Sequence, residues 1–450
     1  MPITHAITLH QNKELIHYMS APFLSPSFSY HDNALYAEGA PIHDIVKTVK
    51  TPFYLYSAAQ IKENIAQLQS ALRSVMPVDR FTICYACKAL NNVAIMRLIG
   101  QQGCGADIVS SGELTRASQA AIPHEKIVFS GVGKSDEEIE HALNASIRQI
   151  NVESGAEMKL IETVAQRLGK KAPIVFRLNP DVKAGAHEKI STGQKENKFG
   201  LEASAIKNLY EYAEESAYLQ PRGISLHIGS QLIDMSPFDT AYQIAAAFIG
   251  ELRSAGHSPD TIDLGGGIGI IYDHEDKPDL SHYAALVAKH IVPLGLHMIF
   301  EPGRMIVGDA GLLISKVMYI KETDHKSFLV LDAAMNDLLR PALYDSAHPI
   351  IPINQDGGDT VAPFDVVGPV CESADIFGKD IALPEHIQAN DYVAITGAGA
   401  YGATMSSSYN ARDITAEVLV SKTRFDIIRR PINIHDQLGF EDIPDYLISG

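Results

Sequence analysis

The chain has 450 residues, 46% of them apolar and 20% charged, which is an ordinary globular balance and a length better served by two domains than by one core. Fifty-four acidic against 37 basic side chains give a net charge of −17, and the short pairs Lys170-Lys171 and Arg429-Arg430 do not grow into a basic tract, so a nucleic-acid partner is excluded as a working idea. The most apolar stretch, about 284–300, is broken by Lys289, His290 and Pro293 and falls short of the ~20 residues a bilayer needs, so no membrane span is expected.

The first 30 residues lack a basic start followed by an apolar core, so no secretory signal is read there. Four cysteines, at 84, 87, 104 and 371, are too few and too clustered for a disulfide framework, and a reducing, cytoplasmic compartment is expected. Cys84 and Cys87 form a C-x-x-C pair with no second pair to match, which favours a structural reading over a metal or redox one, and no metal is expected.

In chain order, residues 1–32 read as an N-terminal extension and 33–56 as strand-forming sequence that joins a later β domain, with Phe53 to Tyr56 as its strand. Ser57 with Gln60 then resembles a capping box, and Ile61, Ile65, Leu68 and Leu72 follow at helical spacing. The rhythm repeats through residue 304, with candidate strands at 81–85, 105–109, 127–129, 148–152, 174–178, 224–228, 261–264 and 297–300. Ser110 with Glu113 and Ser135 with Glu138 are further capping boxes between them. Eight alternating strand and helix units predict an α/β fold whose 57–304 portion is a (β/α)₈ TIM-like barrel. After 304 the texture turns to β-rich runs at 311–320, 327–331, 363–368, 391–396 and 413–420, divided by Asp, Asn, Pro and Gly, which predicts a mostly antiparallel β domain over 305–450.

In such a barrel the reactive groups belong at the C-terminal strand ends. Lys88 follows the first of these strands among Ala86, Cys87, Ala89 and Leu90, where desolvation would make its amine nucleophilic; taken alone it reads at least as well as a snorkelling surface lysine. His227 closes the 224–228 run before Gly229 and Ser230, as a ligand-facing ring or as a packing residue. Gly265-Gly266-Gly267 offers approachable backbone N–H groups at a probable helix start, suited to a phosphate; it lacks the spacing of a dinucleotide fingerprint. Glu301-Pro302-Gly303-Arg304 closes the last strand with a carboxylate and a guanidinium that could grip a ligand or pair with each other.

Tyr85 to Ala89, His227 to Ser230, Gly265 to Gly267 and Glu301 to Arg304 together resemble, in their usual order, the motifs of the fold type III, alanine-racemase-like pyridoxal-phosphate decarboxylases. Asn151 to Ser154, Arg177 to Pro180, Ser191 to Gly193, Lys198 to Gly200, Cys371 to Ser373 and Met405 to Asn410 resemble segments of the diaminopimelate decarboxylases within that group, over about residues 33–430. The resemblance implies that pyridoxal 5′-phosphate is carried by Lys88, stacks on His227, and meets Glu301 at its ring nitrogen, with Ser230, Gly265, Gly266, Gly267 and Gly303 around the phosphate and Tyr401 closing over it. It implies further that Arg304, Arg340, Tyr344 and Tyr401 bind substrate carboxylate, that Glu372 receives a distal ammonium, and that Cys371 delivers a proton. The implied reaction is decarboxylation of meso-2,6-diaminopimelate to L-lysine, the last step of lysine biosynthesis, by a homodimer whose sites are completed across the interface. A decarboxylase of ornithine, arginine or carboxynorspermidine on the same fold is the alternative. Two departures stand out: Leu90 occupies a place where the family often has Asn, with Asn91 one later, and the tail beyond about 430 has no counterpart.

Overall fold

The computed structural model describes residues 23–182, 198–272, 275–355 and 360–448. The Ser191 to Gly193 motif lies outside them. Contacts divide the chain into two compact units: Ile61–Ile270 with Glu275–Gly308, and the flanking Met1–Gln60, Ile271–His274 and Asp309–Gly450.

The first unit is a closed barrel of eight strands, Phe81–Ala86, Gly105–Ile108, Ile127–Phe129, Gln149–Val152, Ala172–Arg177, Leu219–Ser225, Thr261–Asp263 and His297–Phe300. Every neighbouring pair is parallel. Closure leaves no free edge, and Cys84, Val128 and Ile299 form a buried cluster within it.

Several helix starts follow from local chemistry. Ser135 and Glu138 make a reciprocal capping box ahead of Asp136–Ala145, and Ser154 accepts from Glu157 N at the start of Gly155–Leu168. Ser110 caps Ser111–Gln119 in the same way, but the Glu113 carboxylate reaches past it to the backbone N–H of Val109, 2.8 Å away, and so ties the helix to the end of strand Gly105–Ile108. Cys84 and Cys87 are both buried, and burial holds their thiols well above the usual range, so neither is a ready nucleophile.

Two local expectations are corrected. The strand expected at 224–228 runs from Leu219 to Ser225, because Pro221 and a bulge before Gly223 hide its first half from a hydrophobic count, so His227 sits on the loop after the strand. No helix starts at the glycine run; the next, Leu280–His290, waits for its N-cap Asp279. The three glycines are required instead by close approach: an added Cβ would stand 2.2 Å from Leu226 O at Gly265, 2.2 Å from Glu301 O at Gly266 and 2.9 Å from Gly229 O at Gly267.

The second unit is built on a nine-stranded sheet around the long strand Gly311–Glu322, which pairs antiparallel with Phe53–Ser57, Ser327–Leu331 and Tyr392–Ile395. Two pairings are parallel, Ser327–Leu331 with Val361–Val367 and Phe53–Ser57 with Ala416–Ser421; the remaining ones are antiparallel. Period-two alternation puts Phe53, Leu55, Leu312, Ile314 and Val418 into one core. Strands Ile376–Pro384 and Arg424–Arg429, much of whose surface is exposed, carry too little apolar alternation to be seen in the sequence.

Candidate active site

The barrel unit gathers Lys88, His227 and Glu301 at the C-terminal ends of its strands, around a cavity of about 330 Å³ that Ser130, Asn151 and Arg177 also line. Lys88 lies in the single turn Cys87–Ala89 directly after strand Phe81–Ala86. Its Nζ is 3.0 Å from Asp107 Oδ2; the lysine side chain is 32% exposed, its partner 0%. Asp107 Oδ1 and Ser225 Oγ are buried with no hydrogen-bond partner among the described residues. Orphaned buried polar atoms are costly, and one on the partner of Lys88 with another on the cavity wall at Ser225 mark a place suited to a polar occupant.

Glu301 is wholly buried just past strand His297–Phe300, where its Oε1 accepts from Ser130 Oγ at 3.2 Å and from Asn151 Nδ2 at 3.4 Å. Burial, then the charges of Asp107 and Asp263, push its carboxyl well above the usual range, against the pull of Lys88. Asp263, also buried, is pushed up to about 6 by burial, against the pull of its hydrogen bond with Glu301 and of the Gly265 N–H. Beneath them Gln149 and Asn151 each donate to Asp263 Oδ2 at 3.2 Å, making a polar layer inside the barrel.

Burial first, then Lys88 and Arg177, hold the His227 ring well below the usual imidazole range, so it is neutral. Its Nδ1 accepts the Gly266 N–H at 3.4 Å, while the Gly265 N–H donates to Asp263 Oδ1 at 3.1 Å. Two donors of the expected phosphate nest are therefore already engaged within the protein. Arg304 is buried and donates to Ser230 Oγ at 3.1 Å, which brings the residue after Gly303 to the loop after His227.

In the β unit, Arg340 and Tyr344 share the helix Arg340–Tyr344. Arg340 is buried, donates to His348 Nε2 at 3.3 Å and to Ser346 Oγ at 3.1 Å, and lies 5.4 Å from the Tyr272 ring centre and 5.7 Å from that of Tyr344. Cys371 and Glu372 are exposed on the loop between strands Val361–Val367 and Ile376–Pro384. Tyr401 is half-buried with a left-handed φ of 57°.

Sequence reasoning missed Asp107, Ser130, Asn151 and Asp263 as partners of the picked residues. Asp107 and Asp263 could have been noticed as acids inside apolar strand runs, since a buried charge has to be partnered. Lys134 was missed as well: its buried ammonium pairs with Glu157 at 2.8 Å and donates to Asn151 O at 2.9 Å and to Gly131 O, tying the loop after strand Ile127–Phe129 to the end of strand Gln149–Val152. Among the described residues no group of three or more His, Cys, Asp or Glu side chains is placed to hold a metal.

A barrel mouth with a partly exposed lysine, a buried glutamate of raised proton affinity and a neutral histidine fits pyridoxal chemistry, and the comparisons agree. Residues 58–308 match the family described as pyridoxal-dependent decarboxylase, pyridoxal binding domain. The chain is 44% identical over 393 residues to the diaminopimelate decarboxylase of Helicobacter pylori strain J99, an alignment that covers 87% of this chain and 96% of that protein. The crystal structure of the Helicobacter pylori enzyme complexed with L-lysine superposes with a TM-score of 0.85 at 42% identity, covering 88% of this chain and 98% of that one. That of diaminopimelate decarboxylase from M. jannaschii in co-complex with L-lysine gives 0.89 at 36% identity, covering 94% and 99%. The chain is thus a pyridoxal-dependent decarboxylase of the fold type III class, a barrel joined to a mostly antiparallel β domain. Within that class it belongs to the diaminopimelate decarboxylase family.

Proposed function

We propose that the chain converts meso-2,6-diaminopimelate to L-lysine and carbon dioxide with pyridoxal 5′-phosphate held at Lys88, the last step of lysine biosynthesis. The observation that carries this is Lys88, paired with the buried Asp107, lining the same cavity as Glu301 and His227, in a chain 44% identical to a diaminopimelate decarboxylase. The residues fit the cofactor: an amine of partial exposure, buried oxygens without partners, and a neutral ring to lie against a flat one. The bound cofactor supplies an electron sink for the electron pair left on the α carbon when carbon dioxide departs.

The chain's own groups do the rest. Asp107 keeps the Lys88 ammonium oriented until the amine is needed. Glu301, whose proton affinity burial raises, would face the pyridine nitrogen and help hold a proton there, with Asn151 oriented on it and Gln149 and Asn151 fixing Asp263 beside it. Ser230, Gly265 to Gly267, Gly303 and Tyr401 are assigned to the phosphate, with Gly267, Ser230 and Tyr401 as the principal donors because the Gly265 and Gly266 N–H groups are engaged elsewhere. Arg304, Arg340, Tyr344 and Tyr401 take the distal carboxylate and Glu372 the distal ammonium, a charge pattern that a diamino dicarboxylate satisfies and ornithine does not.

Cys371 and Glu372 stand exposed on a single copy, which supports a homodimer in which they complete the barrel site of the other copy. Cys371 then holds the proton that the α carbon takes up, and the partner loop excludes water. The exposed, unbridged Cys371 suits a reducing compartment, the cytoplasm.

The test is to load the purified protein with pyridoxal phosphate, offer meso-diaminopimelate, lysine, ornithine and arginine separately, and measure carbon dioxide and amine. Lysine and carbon dioxide in equal amounts from diaminopimelate are expected. Faster turnover of ornithine or arginine would replace this reading with the alternative.

A further inference from the structure

Cys371 is exposed, yet its backbone is not free. The turn that carries it is closed by Glu372 N donating to Val370 O at 2.8 Å and Asp375 N donating to Glu372 O at 3.1 Å. Asp375 then uses both carboxylate oxygens, accepting from Val370 N at 2.7 Å and Met335 N at 2.6 Å. A Cβ at Gly368 would stand 2.4 Å from that carboxylate, so glycine is what admits it. The Cys371 N–H itself donates to Asn410 Oδ1 at 3.0 Å. Asn410 belongs to the loop that begins near Tyr401, and the same loop is tied to residues 333–339 by Ser407 N to Asn336 O at 2.9 Å and Asn336 Nδ2 to Ser407 O at 3.2 Å. Arg340 follows that segment directly. Three loops bearing Arg340, Cys371 with Glu372, and Tyr401 are thereby fastened to one another inside the β unit.

We infer that Asn410 is a positioning residue, whose side-chain oxygen sets where the Cys371 thiol stands and makes it move with the Tyr401 loop. The geometry of Asn410 fits a dedicated role: its φ of 57° and ψ of 29° are left-handed, a conformation that among residues with an amide acceptor only Asn adopts with ease. Without the bond the Cys371 N–H loses its acceptor, and Cys371 is held only through its neighbours, by Val370 N on Asp375 Oδ2 and Glu372 N on Val370 O. This inference rests on the reading of Cys371 as the proton donor.

Asn410→Gly removes the acceptor and keeps the left-handed backbone unstrained, whereas Asn410→Asp keeps an acceptor in place. Amide hydrogen exchange at Cys371, followed in the chain without cofactor or substrate, should quicken by about tenfold or more in Asn410→Gly and stay near wild type in Asn410→Asp. In the loaded enzyme Asn410→Gly should lose roughly 10- to 100-fold in kcat with little change in KM, and should shift product from lysine toward the aldehyde of abortive transamination, in which the proton would be taken on the cofactor's side of the imine and hydrolysis would leave the amino group as pyridoxamine phosphate. Unchanged exchange at Cys371 would overturn the bond; quickened exchange with unchanged kcat and product ratio would overturn the positioning role. A wild-type chain that turns over no diaminopimelate sinks the substrate reading alone, because the exchange arm still decides whether Asn410 holds Cys371.

Discussion

The two units handle their polar groups in opposite ways. At the barrel mouth the acids are buried at strand ends, hydrogen-bonded by Ser130, Gln149 and Asn151, and their protonation is displaced by burial and by one another. In the β unit Cys371 and Glu372 stand in solvent on a turn, held through backbone bonds. A group that must keep or give up a proton on demand needs a low-dielectric surround, whereas a group that must meet a substrate end or a second copy needs reach. On the proposed roles, the cofactor's partners sit on rigid strand ends and the substrate's on loops that can change without disturbing the barrel.

The sharpest way to break this contrast is at Lys88. Lys88→Ala should lower turnover by on the order of 10³-fold or more and abolish borohydride fixation of the cofactor, with the fold intact by circular dichroism. Fixation on any other peptide would remove the barrel mouth from the reaction.

Cys371→Ala should retain the cofactor and lose about 10²- to 10⁴-fold in kcat. If sites are shared between copies, mixing Lys88→Ala with Cys371→Ala subunits should restore activity to about a quarter of wild type after random exchange, since half the dimers are mixed and each has one complete site. Verified mixed dimers without activity would show that each chain builds its own site.

Glu372→Gln should cost roughly 30- to 1,000-fold in kcat/KM for diaminopimelate, the loss of one charge-assisted contact of about 2–4 kcal/mol. Cofactor retention should not change. Unaltered kinetics would take the distal ammonium away from the β unit.

The smallest effect concerns stability. Glu113, beside the Lys88–Asp107 pair, is pushed up to about 7 by burial, while in the unfolded chain it titrates near the ordinary value of 4.5. The native state therefore holds a proton that the unfolded chain has lost, so stability is greatest below pH 4.5 for this group and declines as pH rises toward 7. Glu113→Gln preserves an acceptor for the Val109 N–H and removes the titration. Urea midpoints compared at pH 4.5 and pH 8 should show a decline in the wild type that the variant lacks by roughly 1–3 kcal/mol. An equal decline in both would mean that Glu113 is not a buried acid.

Much of the barrel was legible because its signals are local. Ser110 with Glu113, Ser135 with Glu138 and the short apolar strands each encode their own element, and eight strands alternating with helices leave few architectures. The reading of Lys88, His227 and Glu301 as site residues rests instead on the resemblance of ordered motifs, since taken alone the bland reading is preferred for Lys88 and His227 and no better than matched for Glu301. What the chain's order could not contain was pairing between distant residues: Asp107 with Lys88 across 19 positions, Ser130 with Glu301 across 171, Asn410 with Cys371 across 39. Nor could it separate a glycine that binds a phosphate from one that yields to a neighbouring carbonyl, as Gly265 and Gly266 do. Hydrophobic period and capping are properties of consecutive residues and survive in a string of letters. Burial, the raised proton affinities of Asp263 and Glu301, and the fastening of the Cys371 turn arise only when closure of the barrel and the β sheet brings remote side chains within hydrogen-bond range and takes water away from them.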